Sequence, residues 1–226
     1  MTYDRLIEKT IGGLHAHLEK ILNQIQLLSD APILDIGCGS GAWLNRLSRL
    51  GYTNLHGIDI DKNSFHLQHI NFSEVNIDYQ NPNLDKKFSL ITAIEVIEHL
   101  ENVGNFFKFI ENNLSPDGVA LITTPNIHSL ACKARFLLTS NLSQFDSKGD
   151  VGHIYPVLVY TLRKILNRYN LEISTTWCFP EGGVKSSRLI TRIVSKILRL
   201  FIKDELPGDT LCFLVKRTTA NVIQQS

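Results

Sequence analysis

Three glycines at alternate positions, Gly37, Gly39 and Gly41, follow directly on the apolar run Ile33-Leu34-Asp35-Ile36. They precede a helical pattern of Trp43, Leu44, Leu47 and Leu50. This strand–glycine–helix order constrains the chain more than any other feature. Glycine reaches φ > 0 without a Cβ clash and lets backbone approach a ligand closely. The helix behind it aims free N–H groups and the positive end of its dipole at the same place. A nucleotide-like cofactor is therefore expected at the carboxyl end of the first strand, where open α/β sheets bind such ligands.

The spacing argues against a dinucleotide. The pyrophosphate fingerprint is G-x-G-x-x-G, and here Ala42 and Trp43 stand where its third glycine is expected. Asp35, two residues before the loop, would repel a pyrophosphate but suits a ligand carrying an ammonium group. S-adenosylmethionine carries an ammonium, a carboxylate, a sulfonium and an adenosine. Asp59 ends the next strand pattern about 20 residues on, where a ribose-binding carboxylate is expected. Asp78 follows the third and is placed to accept from an adenine amino group, with Ile60 and Tyr79 as the apolar and aromatic residues beside the ring. Cys38 contributes loop backbone to the cofactor site. Its thiol, like those of Cys178 and Cys212, reads as a small buried hydrophobe.

Four ordered motifs carry a family resemblance: Asp35-Ile36-Gly37-Cys38-Gly39-Ser40-Gly41, Gly57-Ile58-Asp59-Ile60-Asp61, Glu95-Val96-Ile97-Glu98-His99-Leu100 and Leu114-Ser115-Pro116-Asp117-Gly118. The sequence resembles the class I S-adenosylmethionine-dependent methyltransferases over residues 14–125, more weakly through Gly152-His153-Ile154. The Glu-x-x-Glu-His-Leu stretch is similar to the branch holding ubiquinone-pathway O-methyltransferases and bacterial small-molecule and glycan methyltransferases. The resemblance implies an α/β, doubly wound, mostly parallel seven-stranded sheet whose last strand runs antiparallel.

Alternating strand and helix patterns agree with a parallel sheet. Strands are expected at 33–36, 55–58, 73–77, 88–93 and 118–123, and helices at 41–50, 62–69 and 102–113. A helical preface covers residues 3–28, broken at Gly12-Gly13. Beyond Pro125 the reading is a helix at 127–138, a polar loop from 141 to 152, a helix at 155–169, a strand at 171–179, a basic helix at 186–203 and a last strand at 210–216. One methyltransferase domain is expected over 1–226, with 126–170 an acceptor-side insertion or lid.

Bulk properties exclude other classes. A formal charge of +1 gives no general drive toward nucleic acid. The four cysteines show no CxxC spacing, so neither a zinc site nor a disulfide framework is expected. No apolar run approaches the roughly 18 residues of a membrane span, and a cytoplasmic location is expected.

Methyl transfer to a hydroxyl is an in-line displacement that needs alignment and removal of a proton. His99, after the fourth strand, and His153, closing the polar loop, are the candidate catalytic residues; each could instead be a structural histidine. His128 is a weaker candidate beyond the fifth strand, and His15 and His17 read as surface residues of the preface. Glu95, Glu98 and His99 share one face of a helical turn. Glu95 is read as a cofactor contact. In the similar ubiquinone-pathway enzymes such residues are associated with a divalent metal, but imidazole is not an ideal magnesium ligand and no metal is expected here. Thr123-Thr124-Pro125-Asn126 does not supply an Asn-Pro-Pro-Tyr amide clamp, which favours oxygen over nitrogen as the acceptor.

Lys185, Arg188, Arg192, Lys196, Arg199 and Lys203 recur every three or four residues, with Ile, Val, Leu and Phe on the opposite half and no acid between Gly182 and Lys203. Two readings stand: a helix packed on the domain with a solvated basic face, or an interfacial helix giving peripheral contact with the inner membrane surface. The expected activity is transfer from S-adenosylmethionine to an oxygen of a small-molecule, lipid-like or glycan acceptor. The alternative is a cofactor-binding subunit without transfer activity.

Overall fold

A computed structural model describes residues 6–147, 149–180, 189–201 and 206–218. Seven strands form one sheet: β1 (Ile33–Ile36), β2 (Leu55–Asp59), β3 (Asn71–Glu74), β4 (Phe88–Ile94), β5 (Leu114–Pro125), β6 (Leu171–Phe179) and β7 (Thr210–Arg217). Their order is β3-β2-β1-β4-β5-β7-β6. The first five pair in parallel. β7 runs antiparallel to both β5 and β6. The strand order reverses between β1 and β4, which opens a crevice at their carboxyl ends.

Helices cover both faces. α1 (Leu14–Ile25) and α2 (Ala42–Arg49) bury Leu14, Leu18, Leu22, Trp43, Leu44 and Leu47 on one side. α3 (Val103–Asn113) buries Phe106, Phe107, Phe109 and Ile110 on the other, where α5 (Val159–Asn167) adds Leu162 and Leu166. β1 is buried at all four positions, as expected of a central parallel strand covered on both faces. α4 (Leu130–Thr139) and α6 (Leu189–Leu198) pack against each other. Among the described residues no helix is long and apolar enough to cross a membrane.

Several local expectations are corrected. The preface is helical only from Leu14; Gly13, with φ 87°, occupies the N-cap, and residues 6–13 run as irregular chain. No helix forms at 62–69. There the Asp61 carboxylate accepts from the Asn63 N–H (2.9 Å) and the Ser64 hydroxyl donates to the Asp61 carbonyl (2.8 Å), local bonds that compete with a helical ladder. The third strand lies at Asn71–Glu74 rather than 73–77, because its partner β2 ends at Asp59. Val75 and Ile77 nonetheless bury their side chains against the core. The basic helix is described over Leu189–Leu198; Lys185, Arg188 and Lys203 lie outside the described residues.

Candidate active site

The glycine loop leaves β1 under the control of β2. The Gly37 and Cys38 N–H groups both donate to the Ile58 carbonyl (2.8 and 3.1 Å). Gly37 has φ 68°, and a Cβ there would come within 2.6 Å of Val96 Cγ2, so both backbone and space require glycine. Gly41 (φ 87°) is the N-cap of α2, with Leu67 and Phe65 packed where a side chain would stand. At Gly39, by contrast, nothing lies within 4 Å of where a Cβ would stand, so the loop backbone is open to the cavity there.

A cavity of about 720 Å³ opens over this loop. Its floor is Asp35, Gly37, Cys38 and Gly39. One wall carries Asp59, Ile60 and Asp78, and another Glu95 and His99. Gln144, Asp150 and His153 close the far side. Asp59 Oδ2 accepts from the Gly39 N–H (2.8 Å), and Oδ1 from the Asp61 N–H (3.0 Å). A carboxylate offers about four acceptor positions, so this acid can fix the loop and still receive two hydroxyls. Asp78 is anchored at the Asn102 N–H (2.8 Å).

Asp35 is 3% exposed and holds the hydroxyl of Thr92 at 2.6 Å. Burial, reinforced by the charge of Asp59, raises its pKa to about 7. Glu95 occupies the left-handed region (φ 54°), uncommon for a residue with a side chain and frequent at functional sites. Thr123 holds both ends of it: its hydroxyl donates to the Glu95 carboxylate and accepts from the Glu95 N–H, each at 3.0 Å. Burial pushes the Glu95 carboxyl up to about 7. The Cys38 thiol is pushed far up by burial and by Asp35, so it stays neutral.

The two leading histidines meet. His99 and His153 lie edge to face with ring centroids 4.7 Å apart. Burial first, and the neighbouring His153 second, lower the His99 pKa. His153 Nδ1 is 3.0 Å from the Gln144 carbonyl, which can only accept, so Nδ1 carries the proton and Nε2 is left as the acceptor nitrogen. The Ile154 and Tyr155 N–H groups both bond the Glu98 carbonyl (2.8 and 2.9 Å), and this draws the 144–153 segment back over β4. The Glu98 carboxylate is fully buried and has no hydrogen bond of ordinary geometry among the described residues, although the Thr124 hydroxyl eases its ionisation. Burial raises its pKa well above the usual range. One atom each of Glu98, His99 and His153 lies within 4.8 Å of the others, a donor set able to hold a cation.

Other residues singled out from the sequence sit elsewhere. Tyr79 is 71% exposed, bonds Glu101 through its hydroxyl (2.9 Å) and does not line the cavity. His128 is tied to the backbone at Val157 and Val159, away from the cavity. His15 and His17 are not surface residues: His15 is buried against Trp43 and lines the cavity, and His17 accepts from the Trp177 indole (2.9 Å). The stretch at residues 7–11, expected as part of the helical preface, is instead an irregular strap that lines the cavity. Ile7 exchanges two bonds with the Ser40 hydroxyl (3.0 and 3.2 Å), and Glu8 reaches His15 (3.3 Å) and Arg46 (3.7 Å). The glycine pair Gly12-Gly13 is the one sequence signal that the chain bends there. Gln144 and Asp150 leave no signal, since only the fold brings their loop to β4.

The donor set fits an amino-acid-bearing nucleoside. Asp35 is a buried carboxyl whose ionised form a ligand's cation would favour, Asp59 retains acceptor positions, and the loop between them is open at Gly39. Comparisons with known proteins agree. The family model described as "Methyltransferase domain" matches residues 11–176. The "Ubiquinone biosynthesis O-methyltransferase" of Rickettsia bellii is 31% identical over 116 residues, 48% of each chain. The mitochondrial protein of that name in Dictyostelium discoideum is 31% identical over 123 residues, 46% of this chain and 38% of its own. This chain thus spans about half the length, or less, of these curated relatives. Among solved structures, a SAM-dependent methyltransferase from Archaeoglobus fulgidus superposes with a TM-score of 0.63 at 19% identity, covering 90% of this chain and 93% of that one. The plantazolicin methyltransferase BpumL gives 0.57 at 16% identity, covering 91% and 83%.

Proposed function

Because the chain belongs to the class I S-adenosylmethionine-dependent methyltransferases, we propose that it methylates a hydroxyl oxygen of a small acceptor bound between the glycine loop and the 144–153 segment. When bound, S-adenosylmethionine supplies an electrophilic methyl group on sulfur. Asp35 would neutralise the ammonium, Asp59 would receive the ribose hydroxyls and Asp78 the adenine amino group. The observation that carries the oxygen reading is His99: a half-buried imidazole, kept neutral, on the wall of the cofactor's own cavity. A neutral imidazole can take a hydroxyl proton as the oxygen attacks. His153 backs that ring, and its own Nε2 is free to accept a second hydrogen bond from acceptor or water. The names of these relatives, which are those of O-methyltransferases, point the same way.

A second reading rests on the Glu98–His99–His153 donor set, in which a divalent cation would hold the acceptor oxygen and lower its pKa. Turnover with labelled S-adenosylmethionine against phenolic and sugar hydroxyl acceptors tests the oxygen reading, and chelation separates the two. Base catalysis by His99 survives chelation; loss of activity restored by a divalent ion assigns the set to a metal. Transfer to nitrogen acceptors only would refute both.

Cofactor binding has its own test. Asp59→Ala lowers S-adenosylhomocysteine affinity at least tenfold, about 1.4 kcal/mol by calorimetry. The loss combines the ribose contact with the Gly39 N–H left without its 2.8 Å acceptor. Unchanged affinity removes Asp59 from the site.

A further inference from the structure

We infer that the face formed by α4 and α6 docks this protein on an anionic lipid surface. α6 packs on α4, with Val194 and Leu198 half-buried. Ile190, Ile193 and Ile197 nevertheless remain 65, 50 and 52% exposed, and Phe201, in the turn that follows, 81%. These four are spaced three and four residues apart and form one stripe. The last turn of α4 adds Phe136, Leu137 and Leu138, exposed at 49, 69 and 48%. Isolated exposed apolar residues need no explanation, but two adjoining helices that both present them mark an interaction surface.

Charge selects the occupant. Six basic residues and no acid lie between Gly182 and Lys203 in the sequence. Of these, Lys196 and Arg199 are exposed, and Lys133 is exposed on α4. Along this stretch the basic positions recur on the half of the helix opposite the apolar stripe. An apolar stripe entering the acyl boundary beside cations at the phosphate level is the arrangement of an interfacial helix. A second copy of this chain fits less well, because a two-fold contact through the stripe would bury the apolar residues but bring no anionic partner to the basic row. α4 leads directly into the 141–153 segment that brings Gln144, Asp150 and His153 to the cavity. Docking would therefore set α4, the helix that precedes this segment, at the bilayer surface. The docking itself does not depend on which atom is methylated.

The test is co-sedimentation of the whole chain with phosphatidylcholine vesicles, with or without phosphatidylglycerol. The protein is expected to pellet with the anionic vesicles, to remain in solution with the neutral ones, and to be released by salt. Ile193→Asp/Ile197→Asp should reduce partitioning into anionic vesicles at least tenfold, with S-adenosylhomocysteine affinity and unfolding midpoint held at wild-type values. Leu137→Asp on α4 should do the same, and covers the case in which the α6 variant fails to fold. Three results would overturn the inference: no binding to either vesicle, binding indifferent to all these substitutions, or a solution dimer that Ile193→Asp/Ile197→Asp separates.

Discussion

The His99→Ala enzyme is expected to bind S-adenosylhomocysteine as tightly as the wild type and to turn over about 10²–10⁴-fold more slowly, the range by which a positioned general base accelerates proton transfer. The ring lines the same cavity but is not among the groups assigned to the cofactor, so kcat should carry the loss and cofactor affinity should not. His99→Gln, which keeps a polar group but no basic nitrogen, should remain as impaired as alanine. His153→Ala should cost less, because that ring supports His99 from 4.7 Å and is itself held by the Gln144 carbonyl. Steady-state kinetics with a saturating acceptor makes the comparison. A His99→Ala enzyme with undiminished kcat would leave proton removal to solvent and reduce the histidine pair to a structural contact.

Asp35 gives the second large effect, and it depends on pH. In the protein without ligand, burial holds its pKa at about 7, against 3.8 for an exposed aspartate. Between those values the folded protein binds a proton that the unfolded chain has released. Stability without ligand therefore falls as pH rises through this window, by up to about 1.4 kcal/mol per pH unit for each such group, and levels off once the folded form is ionised. Glu95, also raised to about 7, adds to the slope. Denaturant unfolding across the window should show Asp35→Asn with a shallower slope and a higher stability near neutral pH. Affinity for an ammonium-bearing ligand has the opposite sign. It needs the ionised carboxylate, so wild-type affinity rises as pH climbs toward and past about 7, and binding below that point releases a proton. Asp35→Asn should lose at least tenfold in affinity, about 1.4 kcal/mol, and much of the pH dependence. Calorimetry in buffers of different ionisation enthalpy reads both. A wild type whose affinity is flat across neutral pH would take Asp35 away from the ammonium.

Both residues can be picked out in the amino-acid sequence, and the structure gathers them on one cavity with the glycine loop, Asp59 and Asp78. The glycine loop and Asp35 can be read because a sharp turn after a buried strand tolerates few residues, and Asp59 because the parallel sheet sets the distance between one strand end and the next. Two of the misreadings share a cause in local competition, and the third is a matter of tertiary packing. The 62–69 segment has helical hydrophobic spacing, yet Asp61, Asn63 and Ser64 satisfy the backbone locally and stop a helix from forming. Tyr79 follows an acid that does line the cavity, but the turn at Asn76–Gln80 directs the ring outward to Glu101. His15 sits in an ordinary amphipathic pattern, and only the packing of α1 against Trp43 buries it at the cavity.

The amino-acid sequence by itself determined the layering of the fold and the glycine-loop end of the cavity, since both follow from short-range rules: hydrophobic period, glycine conformation and the placing of an acid at a strand's end. Only the tertiary structure decided the acceptor end. The His99–His153 contact, the bonds from Ile154 and Tyr155 to the Glu98 carbonyl and the strap over the glycine loop join residues far apart in the chain, and such pairings are fixed by how buried surfaces fit together rather than by any pattern in one stretch. The exposed stripe on α6 belongs to both: its periodicity was written in the sequence, and its exposure came from packing that covers Val194 and Leu198 and leaves Ile193 and Ile197 in water.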